Sequence, residues 1–357
     1  NVVMKKKALA VLVNDVHLDK SNGDLVKDIF RQLIQVCEDF KTNRIICGGD
    51  IFTNRSAQPM ICLTDWKEIL DMLRKAKVCL DVIPGNHDKT DPDDERSYLD
   101  VYSYPEVILH RKGESCIIGG HVFVFVPYFT DEKWLEEFKK ADGIRESQFS
   151  EGDVEDDACS FLITHSGFDG VVNNDGSKVS SIIKPSMFSN YTKVLIGHYH
   201  NASKLGDNVY YTGSAYQGNY GETIKDKGFT VIFDNGTIQN IHSRFPQYIK
   251  EVVDVNDNEA VKEIIEKYKD DNQNHVRIVF RGKKVDIQKV NVAELSKYGI
   301  DTKFESIEEN EAIDNSTTED ALCYDKKSIM KDFIKFCSEN NIRGKNLKYG
   351  MNLVKEL

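Results

Sequence analysis

The stretch ALAVLVNDVHLDK, residues 8–20, sets an apolar, strand-like run directly before a polar Asp-x-His motif. The same order recurs along the chain, where further polar motifs follow apolar runs. These later motifs are Gly49-Asp50, Gly85-Asn86-His87-Asp88, Thr164-His165 and Gly197-His198-Tyr199-His200. An α/β protein exposes functional side chains in the loops at its strand ends. The recurrence therefore predicts a layered α/β fold with one site gathered at those ends.

The residue types in these motifs are those of metal ligands. Asp15 and His17 stand two apart, so their side chains point the same way in an extended chain. Asp50 follows two glycines and is the natural carboxylate to bridge two cations. Oxygen and nitrogen ligands without thiolate suit Mn, Fe, Zn or a mixture, and paired ions suit in-line attack of a metal-bound hydroxide on phosphorus. The candidate ligands are Asp15, His17, Asp50, Asn86, His165, His198 and His200.

A single Asp-x-His or Gly-x-His motif is common and usually structural, whereas Gly85-Asn86-His87-Asp88 is more specific, because Asn-His after a glycine turn has no obvious packing use. Asp15 could form a turn, and His165 could be a buried core histidine. Five such motifs in order, each after a strand-like run, are hard to assemble by accident. The ordered set therefore favours a two-metal site over separate structural roles.

His87 has a different predicted role. Adjacent residues in a loop rarely bind the same ion, so with Asn86 on a metal His87 can face the substrate. It would then protonate the leaving oxygen, which suits a histidine because that residue type titrates near neutral pH. The alternative is a partner that only holds a ligand in place. Asp88 is predicted to orient a histidine or the loop, and histidines 110, 121, 242 and 275 are interpreted as structural or surface residues.

Size and composition limit the class of protein. A chain of 357 residues with 40% apolar residues fits one large domain plus a smaller one. No run approaches ~18 apolar residues, so we predict no membrane span and a cytoplasmic protein, or one of the host cytoplasm if it is phage-encoded. The net charge of −11 argues against nucleic-acid binding through bulk charge, although bound cations would add local positive charge.

Strand and helix signals alternate through residues 1–246, which predicts sheets flanked by helices. Helices are predicted over 24–40, 58–77 and 131–141, followed by an acidic surface loop over 142–157. Later strands are predicted over 160–164, 193–196, 209–212, 228–233 and 237–244. The Asn235-Gly236 dipeptide predicts a hairpin turn between the last two strands.

The pattern restarts after Pro246. Alternating strands and helices over 247–305 predict a small second α/β unit. Residues 306–320 are rich in Glu, Asp, Asn, Ser and Thr and predict an acidic linker. Residues 321–357 turn basic and carry an apolar stripe, which predicts a helical tail packed either on a partner or on its own domain.

Together these motifs resemble those of the calcineurin-like metallophosphoesterases. Flanking residues narrow the resemblance to the SbcD-type nucleases, the catalytic subunits of double-strand-break repair nuclease complexes, including phage recombination nucleases. The segments that carry it are Asp15-Val16-His17-Leu18, Gly49-Asp50-Ile51-Phe52, Tyr211-Thr212-Gly213-Ser214, Tyr220-Gly221-Glu222 and Lys227-Gly228-Phe229, with Arg244 near Pro246.

The resemblance implies a β-sandwich flanked by helices, a small α/β capping domain over 247–305 and a helical partner-binding tail. It implies manganese-dependent cleavage of DNA, as an exonuclease on duplex ends and an endonuclease on single strands, with Fe, Zn or Mg as other metals. The implied partners are DNA, an SbcC-type ABC ATPase with a coiled coil, and a second copy joined through residues 58–77. The implied ligand sets are Asp15, His17, Asp50 and His200 for one metal and Asp50, Asn86, His165 and His198 for the other.

Basic residues outside the motifs are candidate phosphate contacts. Arg55 follows the Asp50 motif, and Lys283 and Lys284 lie in the second unit. A solvated surface role is the alternative for each. Two other functions stay open: a metallophosphoesterase for a small phosphodiester or phosphoprotein, and a noncatalytic scaffold that binds DNA ends.

Overall fold

The computed structural model of the protein describes residues 6–172 and 177–306. In chain order its strands are β1 Ala8–Val13, β2 Arg44–Cys47, β3 Cys79–Val82, β4 Val107–Leu109, β5 Glu114–Ile118, β6 His121–Val126, β7 Ser160–His165, β8 Lys193–Gly197, β9 Ser203–Lys204, β10 Val209–Tyr211, β11 Gly228–Phe233, β12 Ile238–His242, β13 Tyr248–Asp254, β14 His275–Gly282 and β15 Asp301–Ser306. Its α-helices are α1 Gly23–Phe40, α2 Met60–Lys75, α3 Asp131–Ser150, α4 Asn258–Tyr268, α5 Lys284–Ile287 and α6 Val292–Ser296.

The first two sheets have six strands each. One has the order β12-β11-β1-β2-β3-β4 and the other the order β5-β6-β7-β8-β10-β9. Strand β1 shows how they pack, because successive side chains point to opposite faces of a strand. Ala10 and Leu12 join the buried cluster between the sheets, whereas Val11 and Val13 pack with α1 and α2. Helix α3 covers the outer face of the second sheet. The predicted sandwich flanked by helices is confirmed.

A third sheet follows the sandwich in the chain. Its order is β13-β14-β15, and all its strands are parallel. Val253, Ile278 and Phe280 from these strands are buried with Tyr268 of α4 and Leu295 of α6. The strands and helices predicted over 247–305 are therefore present. The assignment of this segment to a capping domain stays a prediction, and residues 307–357, with the predicted linker and tail, lie outside the described part.

The structure differs from the sequence prediction in two local respects. Residues 142–150 continue α3 instead of forming a loop, because Arg145 lies against the ring of Tyr191 and pairs with Asp142. Strands β4, β5, β6 and β9 were not predicted from the sequence, although the continuous run of Val and Phe over 122–126 is typical of a buried strand. Among the described helices, none is both long and apolar enough to cross a membrane.

Candidate metal centre

The candidate ligands meet at one edge of the sandwich. Strands β1, β2 and β3 run parallel in the first sheet, and β6, β7 and β8 run parallel in the second. Parallel strands present their carboxyl ends together, and the five motifs lie at these ends. We call the gathered residues the ligand edge: Asp15, His17, Asp50, Asn86, His165, His198 and His200.

Four residues of the ligand edge have a left-handed backbone. The angle φ is 53° at Asp15, 43° at His17, 55° at Asp50 and 92° at His198. Residues with a Cβ avoid this region, and such strain persists only where surrounding contacts enforce it. Here the Asp15 N–H donates to the Gly49 carbonyl and the His17 N–H to the Asp50 carbonyl, both at 3.1 Å. The two loops thus hold each other in the strained form that aims their side chains inward.

Glycine is required where these loops touch. Gly49 has φ of 102°, and a Cβ there would lie 2.5 Å from Nδ1 of His165 and 2.9 Å from the Cα of Gly85. A Cβ on Gly85 would collide with the backbone nitrogen of Asp50. The glycines before Asp50 and Asn86 therefore allow the two sheets to bring their ligands together.

The first group of converging atoms comes from Asp15, His17 and His200, whose ligand atoms lie within 4.8 Å of one another. Nε2 of His17 is 2.9 Å from Nε2 of His200 and 3.9 Å from Oδ1 of Asp15. Both carboxylate oxygens of Asp15 accept the His198 N–H at 3.1 Å. The side chain of Asp15 is thereby fixed toward the two imidazoles.

The second group comes from Asp50, His165 and His198, again within 4.8 Å. Nε2 of His165 lies 3.3 Å from Oδ2 of Asp50 and 3.1 Å from Oδ1 of Asn86. Nδ1 of His198 lies 2.9 Å from the same Asn86 oxygen. Asp50 also stands 3.7 Å from His17 of the first group, so it lies between the two groups as a bridging carboxylate would.

The donor set fits divalent cations. Nδ1 of His165 is 2.8 Å from the Gly48 carbonyl, which only accepts, so Nδ1 carries a proton and Nε2 is the atom left for a metal. The Asn86 amide has two orientations: with Oδ1 inward it offers an oxygen ligand, and with Nδ2 inward it donates to both imidazoles while Oδ1 accepts from Arg55. Imidazole, carboxylate and amide oxygen together suit Mn, Fe or Zn.

The electrostatics of the ligand edge also favour a bound cation. Burial raises the pKa of Asp15 to about 6, against the lowering effect of His165 and His200. Burial acts in the same direction on Asp50, but the charge of His165 and its hydrogen bond outweigh it and hold the Asp50 pKa well below its usual range. In return, although burial lowers it, the pKa of His165 rises to about 9 because of Asp50. Without a metal, the negative charge of these buried carboxylates is balanced by protons on Asp15 and His165. A bound divalent ion would supply that positive charge instead.

His87 lies beside the ligand edge with Arg55. Its backbone N–H donates to Oδ1 of Asp50 at 2.9 Å, and its Nδ1 contacts the Thr53 carbonyl. Nε2 of His87 is 3.2 Å from the Arg55 guanidinium. The backbone carbonyl of Arg55 accepts a hydrogen bond from the Tyr98 hydroxyl. His87 also forms a converging group with His17 and Asp50. The geometry therefore permits either the predicted acid role or a place on a metal.

Asp88 orients the loops, which is one of the two roles predicted for it. One carboxylate oxygen accepts the Gly85 N–H at 2.8 Å and the Ile51 N–H at 3.3 Å. The other accepts the Phe52 N–H at 3.0 Å. The buried Asp88 thus joins the loop of Asp50 to the loop that carries its own motif.

Glu222 and Lys227 stand behind His200, and neither was assigned a role from the sequence. Oε1 of Glu222 accepts from Nδ1 of His200 at 2.9 Å, which directs Nε2 of that ring toward the ligand edge. The fully buried Lys227 ammonium donates to Glu222 at 2.6 Å, to the His200 carbonyl at 2.6 Å and to Ser214 at 2.8 Å. Burial works to raise the Glu222 pKa, but hydrogen bonds from His200 and Lys227 lower it to about 2. Only the Glu222 and Lys227 segments of the resemblance could have pointed to them.

The ligand edge opens into a cavity of about 430 Å³ that reaches the third sheet. Its lining includes Tyr248 and His275, and the sequence had given His275 no functional place. Lys283 and Lys284 follow the far end of β14, whereas His275 begins that strand, and neither lysine lines the cavity. The structure thus brings Arg55 to the site but leaves the two lysines away from it.

The fold and the ligand edge are those of a phosphoesterase. Residues 10–202 match the family described as Calcineurin-like phosphoesterase, which is more than half of the chain, so the protein belongs to that family. The predicted fold class and the predicted enzyme class, a metal-dependent phosphodiesterase, are confirmed at the level of the family. The family uses divalent metals, and the candidate ligands for them are in place.

Similar proteins include viral and bacterial ones. The chain is 21% identical over 63% of its length to "Putative phosphoesterase 078R" of Invertebrate iridescent virus 3, covering 62% of that protein. It is 23% identical over 74% of its length to a protein of Staphylococcus saprophyticus named as a subunit of the nuclease SbcCD, covering 76% of it. It is 26% identical over 63% of its length to "Exonuclease subunit 1" of Enterobacteria phage T4, covering 64% of it. The chain therefore spans less than two thirds of two of these relatives.

A solved structure, "Crystal structure of Pseudomonas putida nuclease MPE", is 13% identical and is matched over 66% of this chain and 88% of that one. Its TM-score of 0.29 is too low to carry an argument about function. The family assignment rests on the sequence match and agrees with the sandwich and its ligand edge.

Proposed function

We propose that this chain is a two-metal-dependent DNA nuclease that acts in double-strand-break repair or recombination. The observation that carries the proposal is the convergence of five strand-end motifs on one edge, with two buried carboxylates among four histidines, that opens into a cavity. The similarity to proteins named as a nuclease subunit and an exonuclease subunit supports DNA as the substrate. The match to the staphylococcal nuclease subunit runs over 291 residues and so exceeds the family match at 10–202.

Two cations would lie at the ligand edge. When bound, divalent ions, Mn²⁺ in this proposal, supply an activated water for in-line attack and stabilise charge on the phosphate. Asp50 would contact both ions, because it stands between the two groups of converging atoms. The remaining ligands would be Asp15, His17 and His200 on one side and Asn86, His165 and His198 on the other.

His87 would donate the proton to the leaving oxygen. Because Nδ1 of His87 contacts a carbonyl and must donate there, Nε2 is the atom that faces the substrate. Arg55 now lies 3.2 Å from Nε2, and two donors cannot share that position. A substrate phosphate is an acceptor that would draw Arg55 away and leave Nε2 free to carry a proton.

The function is tested by offering DNA beside simpler substrates. Linear duplex DNA, single-stranded DNA and a generic aryl phosphodiester are incubated with the protein and Mn²⁺, with chelator as the control. The proposal expects metal-dependent cleavage of DNA. If DNA stays uncut while a nucleotide or phosphoprotein is turned over, the enzyme is a small-substrate phosphoesterase. If DNA ends are bound but nothing is cut, the protein is a noncatalytic scaffold.

The proposal includes a protein partner, an SbcC-type ABC ATPase with a coiled coil. The word subunit in the names of two relatives supports a partner in general. Residues 321–357, outside the described part, hold the basic segment that would bind the coiled coil as a helix in a groove. A second copy joined through the α2 region is proposed on the resemblance alone.

Deleting residues 321–357 tests the partner. The truncated chain should still cleave short single-stranded DNA with Mn²⁺ but should no longer copurify with the ATPase or show ATP-stimulated work on duplex ends. If the truncated chain precipitates while partner binding maps elsewhere, the segment belongs to the protein's own core and this part of the proposal fails.

A further inference from the structure

The cavity beside the ligand edge has an aromatic wall formed by Tyr248 and His275. These residues begin neighbouring strands and are direct partners in the parallel register of β13 and β14. Their rings are stacked, with centroids 4.4 Å apart and planes 22° from parallel. The wall lines the same cavity as Asp15, Asp50 and His200. A stacked pair of flat rings therefore faces the space next to the metal ligands.

The wall is fixed to the ligand edge by the buried side chain of Gln217. Its Oε1 accepts the Tyr248 N–H at 2.8 Å, and its Nε2 donates to the Tyr248 carbonyl at 3.1 Å. The same Nε2 donates to the carbonyl of Glu222 at 2.9 Å, and the Glu222 carboxylate holds His200. A short chain of hydrogen bonds therefore runs from the backbone of the wall to a candidate metal ligand.

The rear of the wall is supported by further stacking. The ring of Tyr220 meets that of Tyr248 edge to face, with centroids 5.0 Å apart. The Arg277 guanidinium lies 3.9 Å over the Tyr220 ring and is itself held by Asp301. Tyr248 is half-buried by these contacts, whereas His275 is exposed. The ring surface left for a ligand is therefore that of His275.

We propose that the aromatic wall takes an unpaired nucleobase of the DNA strand, next to the phosphate that is cleaved. Flat aromatic side chains stack on bases of any sequence, and they can do so only where the base is not stacked in a duplex. A cavity of about 430 Å³ is of the size that holds a small ligand. This inference rests on the proposed nuclease function and adds a substrate class, a strand with a free base at the site.

The wall acts through stacking and not through charge. Among the described residues that line the cavity there is no lysine or arginine, so its walls offer no cationic side chain of that kind to phosphates. Phosphate contacts give binding a steep salt dependence, whereas stacking does not. Removing the ring of His275 should therefore weaken binding without changing its salt dependence.

The test compares a complete single-stranded oligonucleotide with a matched series of abasic strands, each of which has an abasic sugar beside one of the cleaved phosphates. All reactions contain Mn²⁺. The wild-type protein should cleave the complete strand with a kcat/KM at least about 5-fold higher, the scale of one base–aromatic stack. The variant His275→Leu should lose that preference, and His275→Phe should restore it. Tyr298→Ala removes an exposed aromatic side chain of the same unit outside the cavity and should keep the preference.

The outcomes separate this inference from the proposed function. If the wild-type protein cleaves both strands equally, or His275→Leu keeps the preference, the wall does not hold a base although the protein is a nuclease. If the wild-type protein cleaves neither strand but hydrolyses an aryl phosphodiester, the nuclease proposal fails and the base site fails with it. A salt dependence of DNA affinity that flattens in His275→Leu would show a phosphate contact and overturn the stacking role.

Discussion

Among the described residues, two clusters combine buried histidine with carboxylates, and only one of the two is arranged for metals. In the ligand edge, atoms from several side chains point into common spaces less than 4.8 Å across. In the second cluster, here called the His110 cluster (His110, Asp81, Glu114 and Arg44), the partners lie on opposite sides of one ring. Nδ1 of His110 is 2.8 Å from Glu114, and Nε2 is 3.0 Å from Asp81.

The two clusters differ in the direction in which their polar atoms point and not in their residue types. The His110 cluster forms a line, in which Arg44 pairs with the second oxygen of Asp81 and the His110 ring stacks on Phe125 at 3.9 Å. Its two carboxylates lie on opposite sides of the ring instead of converging on one space, and both ring nitrogens are already paired with them. In the ligand edge two of the rings are held from behind through one nitrogen, His165 by the Gly48 carbonyl and His200 by Glu222, while the other nitrogen of each faces inward. A converging set of atoms that is held from behind indicates a metal site.

The largest effect is expected from Asp50→Asn. Loss of the carboxylate between the two groups should remove at least one metal, and the fall in activity should exceed the roughly 100-fold that marks the upper end for an outer-shell partner. Elemental analysis and a nuclease assay on the same sample measure both. Full metal content together with full activity would refute the bridging assignment.

His87→Gln comes next in size. We expect a loss of around 10²-fold or more in cleavage, the usual scale for a general acid, with both metals and DNA affinity retained. Metal content, DNA binding and single-turnover rate are measured side by side. A variant that no longer binds metal would instead place His87 in the converging group that it forms with His17 and Asp50.

Glu222→Gln should act through His200. A neutral amide holds Nδ1 of His200 less firmly, so Mn²⁺ affinity should fall roughly 10- to 100-fold, and excess Mn²⁺ should restore much of the activity. The matched control is Glu114→Gln, because Glu114 contacts Nδ1 of His110 at 2.8 Å as Glu222 contacts Nδ1 of His200 at 2.9 Å. Equal Mn²⁺ titrations for both variants and the wild type would show that Glu222 does not orient a ligand.

The smallest effect on activity is expected from His110→Gln, which should change stability alone. Burial tends to lower the His110 pKa, but hydrogen bonds to Asp81 and Glu114 outweigh it and raise the pKa above its ordinary value. The stability that protonated His110 contributes is therefore complete below the ordinary histidine pKa and is lost as pH rises through the raised pKa of the folded state. Urea unfolding should show a deficit of about 1–3 kcal/mol in the acidic range that shrinks at higher pH. A pH-independent deficit, or a loss of bound Mn²⁺, would contradict the distinction between the two clusters.

The sequence predicted the ligand edge because strand ends are local features. An apolar run followed by Asp15 or His198 indicates both a strand and the functional residue at its end. Parallel pairing of the strands then places these ends side by side. The left-handed backbone at Asp15, His17, Asp50 and His198 could not be predicted from residue type, since Asp and His are also ordinary metal ligands.

What the sequence could not predict depends on contacts between distant segments. Tyr248 meets His275 only through the register of β13 and β14, and Gln217 joins them to the ligand edge across 31 positions of chain. Residues 142–150 were misplaced for a related reason, because Tyr191, far along the chain, supplies the contact that buries Arg145 in the helix. Composition around these residues gives no sign of their partners.

The central claim is that the converging atoms hold two cations, and anomalous diffraction from the Mn²⁺-loaded protein tests it most directly. We expect two manganese peaks per chain with Asp50 in contact with both. One peak should be completed by Asp15, His17 and His200, and the other by Asn86, His165 and His198. A single peak, or a second peak bound by His87 without Asn86, would contradict this account.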